Sequence, residues 1–513
     1  SSRGSEADGA QMATRIMKSS ARAAGAHCQA RPASIATNGM SDSDLSALLK
    51  RPFFFCGIGG SGMLPLACIL RGRGAAIAGS DRSFDQGRSP EKFAWIADQG
   101  IDLFPQDGSG ITSGDQILVA SAAIEDTVPE VRRAIELGCD RMSRAELLSA
   151  LFNGAERSIA IGGTSGKSTV TGMTGWVLTQ AGRDPTIMNG AVMKNFRSDD
   201  ALFASARVGD GRSFVSEVDE SDGSIALYRP SVAVLLNVTL DHKGMDELRV
   251  LFGDYLAVSD MAVINADDAE ALALAGRARS AITYGIDAAD ARIGVAAGSI
   301  REEARGIGAI VLDRAEGREA ELSLQVPGRH NLSNALAALG AAMAVGVDFD
   351  VAVKALGGFT GLARRFDIVG TSASGITVID DFGHNPDKVR ATLRTLRAHP
   401  GRVIAFFQPH GFGPIRQMGR ELAEVFAEEL DGDDRVILCD PAYFGGTVDR
   451  SIGGADLAQW ICDAGKDAEH FASREDCGDR IVEIAQAGDR IVVMGARDDT
   501  LSTFARAILD RLD

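Results

Sequence analysis

Two hydrophobic rhythms alternate along the chain from residue 52 onward. Short runs in which nearly every residue is apolar, such as Phe53-Phe54-Phe55-Cys56, are separated by longer stretches whose apolar residues recur every three or four positions. Uninterrupted apolar runs suit strands covered on both faces, and the longer period suits helices lying on those faces. Strands are predicted at 53–56, 75–78 and 116–120, then at 158–161, 214–218, 232–237 and 261–265, and finally at 377–379, 402–407, 435–439 and 490–494. Helices are predicted at 63–72, 128–137 and 331–345, and residues 292–326 read as short strands with turns. Strand–helix alternation implies parallel, doubly wound sheets. The expected fold is α/β in three domains, at 49–156, 157–361 and 362–513, preceded by a disordered extension at 1–48.

A length of 513 residues agrees with three domains of roughly 150 residues each. Apolar residues make up 45% and charged residues 24%, enough for a packed core. No run approaches the ~18 consecutive apolar residues of a spanning helix, so no membrane partner is expected. The net charge of -17 disfavours nonspecific binding to nucleic acid or an anionic surface. An anionic small ligand is still compatible, because backbone amides can hold it against the global charge. Seven cysteines, with no Cys-x-x-Cys pair, read as reduced thiols in a cytosol-like compartment rather than a disulfide frame or a zinc site. Residues 11–40 carry Arg15, Lys18, Arg22 and Arg31 and no acid, a transit-peptide-like composition, and are expected to be an extension upstream of a second start at Met40.

Candidate chemistry begins at two glycine loops. Gly57-Ile58-Gly59-Gly60-Ser61-Gly62 lies between a predicted strand and a predicted helix, with Asp81 ending the next strand. Such glycines let backbone N–H groups approach a pyrophosphate, and the acid can accept a ribose hydroxyl. NAD, FAD and a UDP-sugar all satisfy this pattern. The second loop, Gly162-Gly163-Thr164-Ser165-Gly166-Lys167-Ser168-Thr169, ends as a Walker A loop does, with Ile161 where the first glycine would stand. Its amides would cradle phosphates, Lys167 would neutralise β/γ oxygens, and the Ser168 hydroxyl would ligate Mg²⁺. Glu217-Val218-Asp219-Glu220-Ser221-Asp222 and Asn237…Asp241-His242 follow predicted strands, where α/β ligands sit, and offer further ligands.

These pieces, with Gly328-Arg329-His330-Asn331-Leu332-Ser333-Asn334-Ala335, Arg364-Arg365-Phe366 and Asp380-Asp381-Phe382-Gly383-His384-Asn385-Pro386, stand in one order that resembles the Mur ligase family. That family comprises ATP-dependent amide ligases of peptidoglycan synthesis. The glycine loop, Ser121-Ala122-Ala123-Ile124, Arg144-Ala145-Glu146-Leu147 and Phe407-Gln408-Pro409-His410 are most similar to the branch that joins L-alanine to UDP-N-acetylmuramate. The resemblance implies a cytoplasmic enzyme using ATP and Mg²⁺. Its first domain, through residues Gly57 to Gly62, Asp81 and Ser121, would bind the UDP-sugar. Gly163, Thr164, Ser165, Gly166, Lys167, Ser168, Thr169, Asn331 and Asn334 would bind ATP, joined by Arg365 and Asp381 from the third domain. Ser168, Glu217 and His242 would be metal ligands, His330 would lie near adenine or substrate, and Lys167, His242, Arg365 and His384 would be catalytic.

Some positions depart from the family pattern. Ser165 stands where the branch usually has His, and Ser168 where it has Thr. Gly411-Phe412-Gly413-Pro414-Ile415 replaces a stretch with two arginines, leaving Arg416 nearby. The sequence therefore leaves a tripeptide-joining murein ligase open as a second activity, and an NAD-dependent oxidoreductase fused to a P-loop domain as one of another class.

Overall fold

The computed structural model describes residues 42–121, 124–198, 200–239, 243–441, 449–496, 498 and 500–513. Three sheets organise the chain. The first contains β1 (Phe53–Cys56), β2 (Ile77–Ser80), β3 (Asp102–Phe104), β4 (Ile117–Ala120) and β5 (Asp140–Ser143), in the order β3-β2-β1-β4-β5. All four pairings are parallel. The central strand is buried along its whole length, as an all-apolar FFFC run requires.

The second sheet is built on β6 (Arg157–Gly162), β7 (Thr186–Met188), β8 (Ala206–Arg207), β9 (Ser213–Glu217), β10 (Val232–Leu235), β11 (Met261–Asn265) and β12 (Ala281–Tyr284). β13 (Ile293–Val295), β14 (Arg301–Glu303), β15 (Gly306–Asp313) and β16 (Arg318–Leu324) extend it as an antiparallel lobe. This lobe accounts for the short-strand pattern of residues 292–326. Alternation in β16, with Leu322 and Leu324 buried between exposed neighbours, is the signature of a sheet with one wet face. Helices Lys167–Gln180 and Arg329–Ala344 pack together on the parallel part, and their apolar residues share one core with β6, β10 and β11.

The third sheet contains β17 (Asp367–Thr371), β18 (Thr377–Asp381), β19 (Val403–Gln408), β20 (Arg435–Cys439), β21 (Ala468–Phe471) and β22 (Arg490–Gly495). Its order is β17-β18-β22-β19-β20-β21, parallel except at the β17 edge. Separate cores lie on its two faces, so helices cover both sides.

Two expectations are corrected. The extension expected at 1–48 ends earlier, because helix Asp42–Leu49 packs Leu45 and Leu48 onto the core of the first sheet. Leu45, Leu48 and Leu49 on an eight-residue helix are enough to dock it. Residues 1–41 lie outside the described residues. The second strand begins at Ile77, two residues later than the apolar run suggested, because parallel pairing sets Phe53 opposite Ile77 and Cys56 opposite Ser80.

Glycine at position 79 makes that pairing possible. A Cβ there would lie 2.7 Å from the Phe55 carbonyl oxygen and 2.8 Å from Ile58 Cδ1. The backbone carbonyl cannot step aside as a flexible side chain could. Gly79→Ala is therefore expected to destabilise the first domain by about 1–3 kcal/mol, read as a lower urea midpoint. An unchanged midpoint would show that the two strands part without cost.

Candidate active site

Parallel sheets bring their loops to the carboxyl ends of the strands. Here the loops after β1, β6, β9, β10 and β18 meet at one cleft of about 1900 Å³ lined from all three sheets. In the first domain β1 runs into Gly57, whose positive φ of 79° turns the chain toward helix Met63–Gly72. The amides of Gly57 and Ile58 both donate to the Ser80 carbonyl. Asp81 accepts from the Gly59 amide at 2.8 Å through one oxygen and from the Ser83 amide at 2.8 Å through the other. Its carboxylate thus ties the glycine loop to the start of the short helix Arg82–Asp85, which it caps, and lines the cleft from there.

The second loop wraps the start of helix Lys167–Gln180. Gly163 and Gly166 take φ of 134° and 90°, values open to glycine. Asn237, just after β10, clamps the loop from across the sheet. Its side-chain oxygen accepts from the Ser165 amide at 2.8 Å and the Thr164 hydroxyl at 2.7 Å, and its nitrogen donates to the Ser165 carbonyl at 3.0 Å. Lys167 Nζ folds back onto the Gly163 carbonyl at 2.7 Å and the buried Glu220 carboxylate at 2.8 Å. An ammonium in that position faces the loop interior, where phosphate oxygens would lie.

Ser168 donates to Glu217 Oε2 at 2.9 Å, so a hydroxyl and a carboxylate stand side by side at the loop. A Cβ on Gly190 would sit 2.3 Å from the other Glu217 oxygen, so glycine there leaves that oxygen its place. Two hard oxygen donors beside a phosphate loop fit Mg²⁺, which takes one or two protein ligands and fills the rest with water and phosphate. Among the described residues no cluster of three or more His, Cys, Asp or Glu could hold a metal by itself. His242 and Asp241 lie outside the described residues. Burial works against the charge of Asp219, but hydrogen bonds from Ser221 together with Lys167 and Arg144 hold its carboxyl below the ordinary value.

Helix Arg329–Ala344 contributes Asn331 and Asn334. Asn331 is buried and donates to the Pro327 carbonyl at 2.7 Å; Asn334 donates to Asn331 at 3.3 Å. A Cβ on Gly166 would lie 2.7 Å from Asn334 Oδ1, so this helix abuts the phosphate loop. His330 lines the cleft with an exposed side chain, between walls that leave it less solvated than in free solution. Desolvation by those walls lowers its pKa, and Asp381 opposes the shift.

The third domain enters through a tight crossover in which Arg364 and Phe366 both take positive φ, 60° and 49°. Asp381 holds it, accepting from the Phe366 amide at 2.7 Å, the Gly383 amide at 2.8 Å and the Thr392 hydroxyl at 2.9 Å. Arg365 lies 4.7 Å over the Phe382 ring. Desolvation in the cleft lowers its pKa, while Asp381 and Glu217 favour its charge, so the guanidinium stays a cation facing the phosphate loop. His384 shares a hydrogen bond of 2.9 Å with the Phe382 carbonyl, which accepts only, so Nδ1 carries the proton. Burial, then Lys388, pushes its pKa down from 6.5 to about 3.

Of the residues the sequence singled out, Gly59, Gly60, Ser61, Asp81, Thr164, Ser165, Gly166, Lys167, Ser168, Thr169, Glu217, His330, Asn331, Asn334, Arg365 and Asp381 line the cleft together. Gly57, Ile58, Gly62 and Gly163 shape its loops from behind. Ser121 stands exposed at the end of β4, and His384 sits behind Phe382 beside His410. The clamping role of Asn237 and the pairing of Glu220 with Lys167 were not legible from spacing. Their only signal was position at a strand end.

Replacing Asp381 by Ala would strip an acceptor from three donors at once, all of them buried. The expected loss is ~3 kcal/mol in the unfolding of the third domain; an unaltered urea transition would contradict the clamp. His384 gives a pH signature. Its folded pKa lies below the unfolded value, so the unfolded chain binds more protons between pH 6.5 and 3, and stability falls as pH drops through that window. His384→Gln is expected to remove about 1 kcal/mol of the loss between pH 7 and pH 5.5, read by denaturation at both values.

Comparison with known proteins bears on this geometry. Residues 52–156 match the Mur ligase family catalytic domain, 161–342 the Mur ligase middle domain, and 364–497 the Mur ligase glutamate ligase domain. The UDP-N-acetylmuramate–L-alanine ligase of Clavibacter michiganensis is 35% identical over 460 residues, covering 86% of this chain and 90% of that protein. The ligase of the same description from Synechococcus is 35% identical over 454 residues, covering 87% and 84%. Among solved structures, the UDP-N-acetylmuramate-alanine ligase of Thermotoga maritima shares the fold with a TM-score of 0.75 at 24% identity, covering 90% of this chain and 99% of that one. A murein peptide ligase from Psychrobacter arcticus has a TM-score of 0.66 at 22% identity, covering 90% and 98%. With three successive domain matches and relatives aligned over most of both lengths, the chain belongs to the Mur ligase family.

Proposed function

We propose that the protein is an ATP-dependent, ADP-forming ligase that joins L-alanine to UDP-N-acetylmuramate in peptidoglycan synthesis. The observation that carries this reading is the convergence of a glycine loop, a phosphate loop and the Arg365 crossover on one cleft, each from a different sheet. The relatives described as L-alanine ligases favour it over tripeptide joining or nicotinamide chemistry. A cytoplasmic location would give it access to ATP; no helix among the described residues is long and apolar enough to cross a membrane.

The proposed chemistry has two steps. A carboxylate oxygen of the donor takes the γ-phosphoryl group, and the bond to the leaving ADP oxygen breaks. The amine of L-alanine then attacks the acyl carbon, phosphate leaves, and the amine gives up its proton. Phosphoryl transfer needs positioning and charge neutralisation more than covalent help. Lys167 would exchange the Glu220 carboxylate for phosphate oxygens, while loop amides held by Asn237 cradle the rest. Arg365 would meet the phosphates from the opposite wall, and Asn331 and Asn334 would border the nucleotide. Ser168 and Glu217 would hold Mg²⁺, which offsets phosphate charge when bound. His384, neutral at pH 7, would add no positive charge behind the Phe382 wall. Closure of the third domain would keep water from the acyl phosphate.

The test is phosphate release from MgATP with UDP-N-acetylmuramate, with and without L-alanine. Release that depends on L-alanine, with the matching mass gain on the sugar nucleotide, is the expected result. Release only with a tripeptide would overturn the acceptor. Lys167→Ala is expected to lower turnover by about 10²–10³-fold or more, and a variant retaining full turnover would remove the assigned phosphate site.

A further inference from the structure

Two consecutive arginines open the third domain, and the fold uses them differently. Arg364 is spent on structure. It donates to the Gly495 carbonyl at 2.8 Å and the Asp498 carbonyl at 3.0 Å, pairs with Asp380 at 3.4 Å, and keeps only 11% of its side chain exposed. Arg365 lines the cleft instead, and among the described residues its guanidinium has no hydrogen bond or ion pair. Its contact is the face of the Phe382 ring, 4.7 Å from the ring centroid, well inside cation–π range. Two carboxylates, Asp381 and Glu217, act on its charge in the same cleft. Asp381 already accepts three hydrogen bonds, and one oxygen of Glu217 takes the Ser168 hydroxyl. The other Glu217 oxygen is the natural place for a loose guanidinium to fall.

The ring that holds Arg365 is itself held from several directions. The Phe382 amide donates to the Arg364 carbonyl at 2.8 Å, which fixes the ring against the crossover. Arg364 lies 5.2 Å from the ring centroid, so one ring carries a locked arginine and an unpaired one. His384 meets the ring at 5.3 Å, almost perpendicular at 82°, and its Nδ1 donates to the Phe382 carbonyl at 2.9 Å. His410 backs His384 in turn, with ring centroids 5.0 Å apart. Phe382 stays half-buried and lines the cleft beside Arg365. A cation resting on a ring face keeps its N–H donors for another partner, whereas one paired to a carboxylate spends them.

We infer that Phe382 is a positioning residue for the ATP reaction: its ring keeps Arg365 off the Glu217 carboxylate and so leaves the guanidinium free to take phosphate oxygens. This rests on the proposed ATP-dependent function and names the side chain through which its arginine acts. The ring does two things that an aliphatic side chain of similar bulk cannot. It attracts the cation without neutralising it, and it fixes the plane from which a fork of N–H donors reaches outward. It also protects the magnesium position, because a guanidinium paired to Glu217 would compete with the metal for that oxygen.

The experiment is a double-mutant cycle on the full chain, read by titration calorimetry with the magnesium complex of β,γ-imido-ATP. Phe382→Leu and Arg365→Met are each expected to weaken binding at least fivefold. In the Arg365→Met background, Phe382→Leu is expected to cost less than a further twofold, because the ring acts through the arginine. Phe382→Tyr keeps the ring and is expected to bind within twofold of the unsubstituted chain. Additive losses in the cycle, an unaffected Phe382→Leu or Arg365→Met, or a Phe382→Tyr as weak as Phe382→Leu would each overturn the inference. Should Phe382→Leu lose its cooperative urea transition, Phe382→Met takes its place in the cycle with the same thresholds. The measurement needs neither donor nor acceptor, so a wrong choice of L-alanine or UDP-sugar leaves it standing. An unsubstituted chain that binds no nucleotide overturns this inference and the ATP-dependent reading together.

Discussion

A side-chain oxygen at the end of one strand, accepting the backbone amide of a neighbouring loop, is the interaction on which every wall of the cleft depends. Asp81 does this for the glycine loop, Asn237 for the phosphate loop and Asp381 for the crossover into the third domain. A loop that must present free amides to phosphate cannot use those amides to hold itself in place. The rigidity has to come from a few amides facing away from the ligand, bound to acceptors from the adjacent strand. Each clamp is buried or nearly so, and an unmet donor there would cost about 1–3 kcal/mol. The geometry that would hold a nucleotide is therefore a property of the fold at rest.

Electrostatics follow from the same arrangement. An acidic chain builds anion sites by placing few cations where the backbone already points its amides. Lys167 rests on Glu220 and the Gly163 carbonyl, and Arg365 rests on the Phe382 ring with Asp381 and Glu217 favouring its charge. Lys167 would have to leave the Glu220 carboxylate to meet a ligand, whereas Arg365 rests on a ring face. Histidines behave in the opposite way. His330, exposed at the cleft, and His384, partly buried, both lose proton affinity through desolvation, which favours their neutral, hydrogen-bonding forms.

Much of the fold was legible along the chain. Strand runs such as 53–56 and 261–265 coincide with Phe53–Cys56 and Met261–Asn265, because fully buried parallel strands demand unbroken apolar sequence. The second strand was placed two residues early, since register is set by the neighbouring strand and not by the run itself. Docking of helix Asp42–Leu49 was missed because Leu45 and Leu48 gain their meaning only from the surface they meet. In the site, Lys167 and Ser168 were readable because a phosphate loop compresses its chemistry into eight consecutive residues. Asn237 and Glu220, which act across the sheet at sequence separations of 72 and 53, were not.

The sequence by itself determined the local elements: apolar runs, glycine turns, cap residues and the phosphate loop, all of which depend on residues within one turn or one strand of each other. Only the tertiary structure decided which strand ends meet, which acid holds which loop, and that the Phe382 ring carries both Arg364 and Arg365. Those outcomes depend on strand order and on the approach of three sheets, where distance in space bears no fixed relation to distance along the chain.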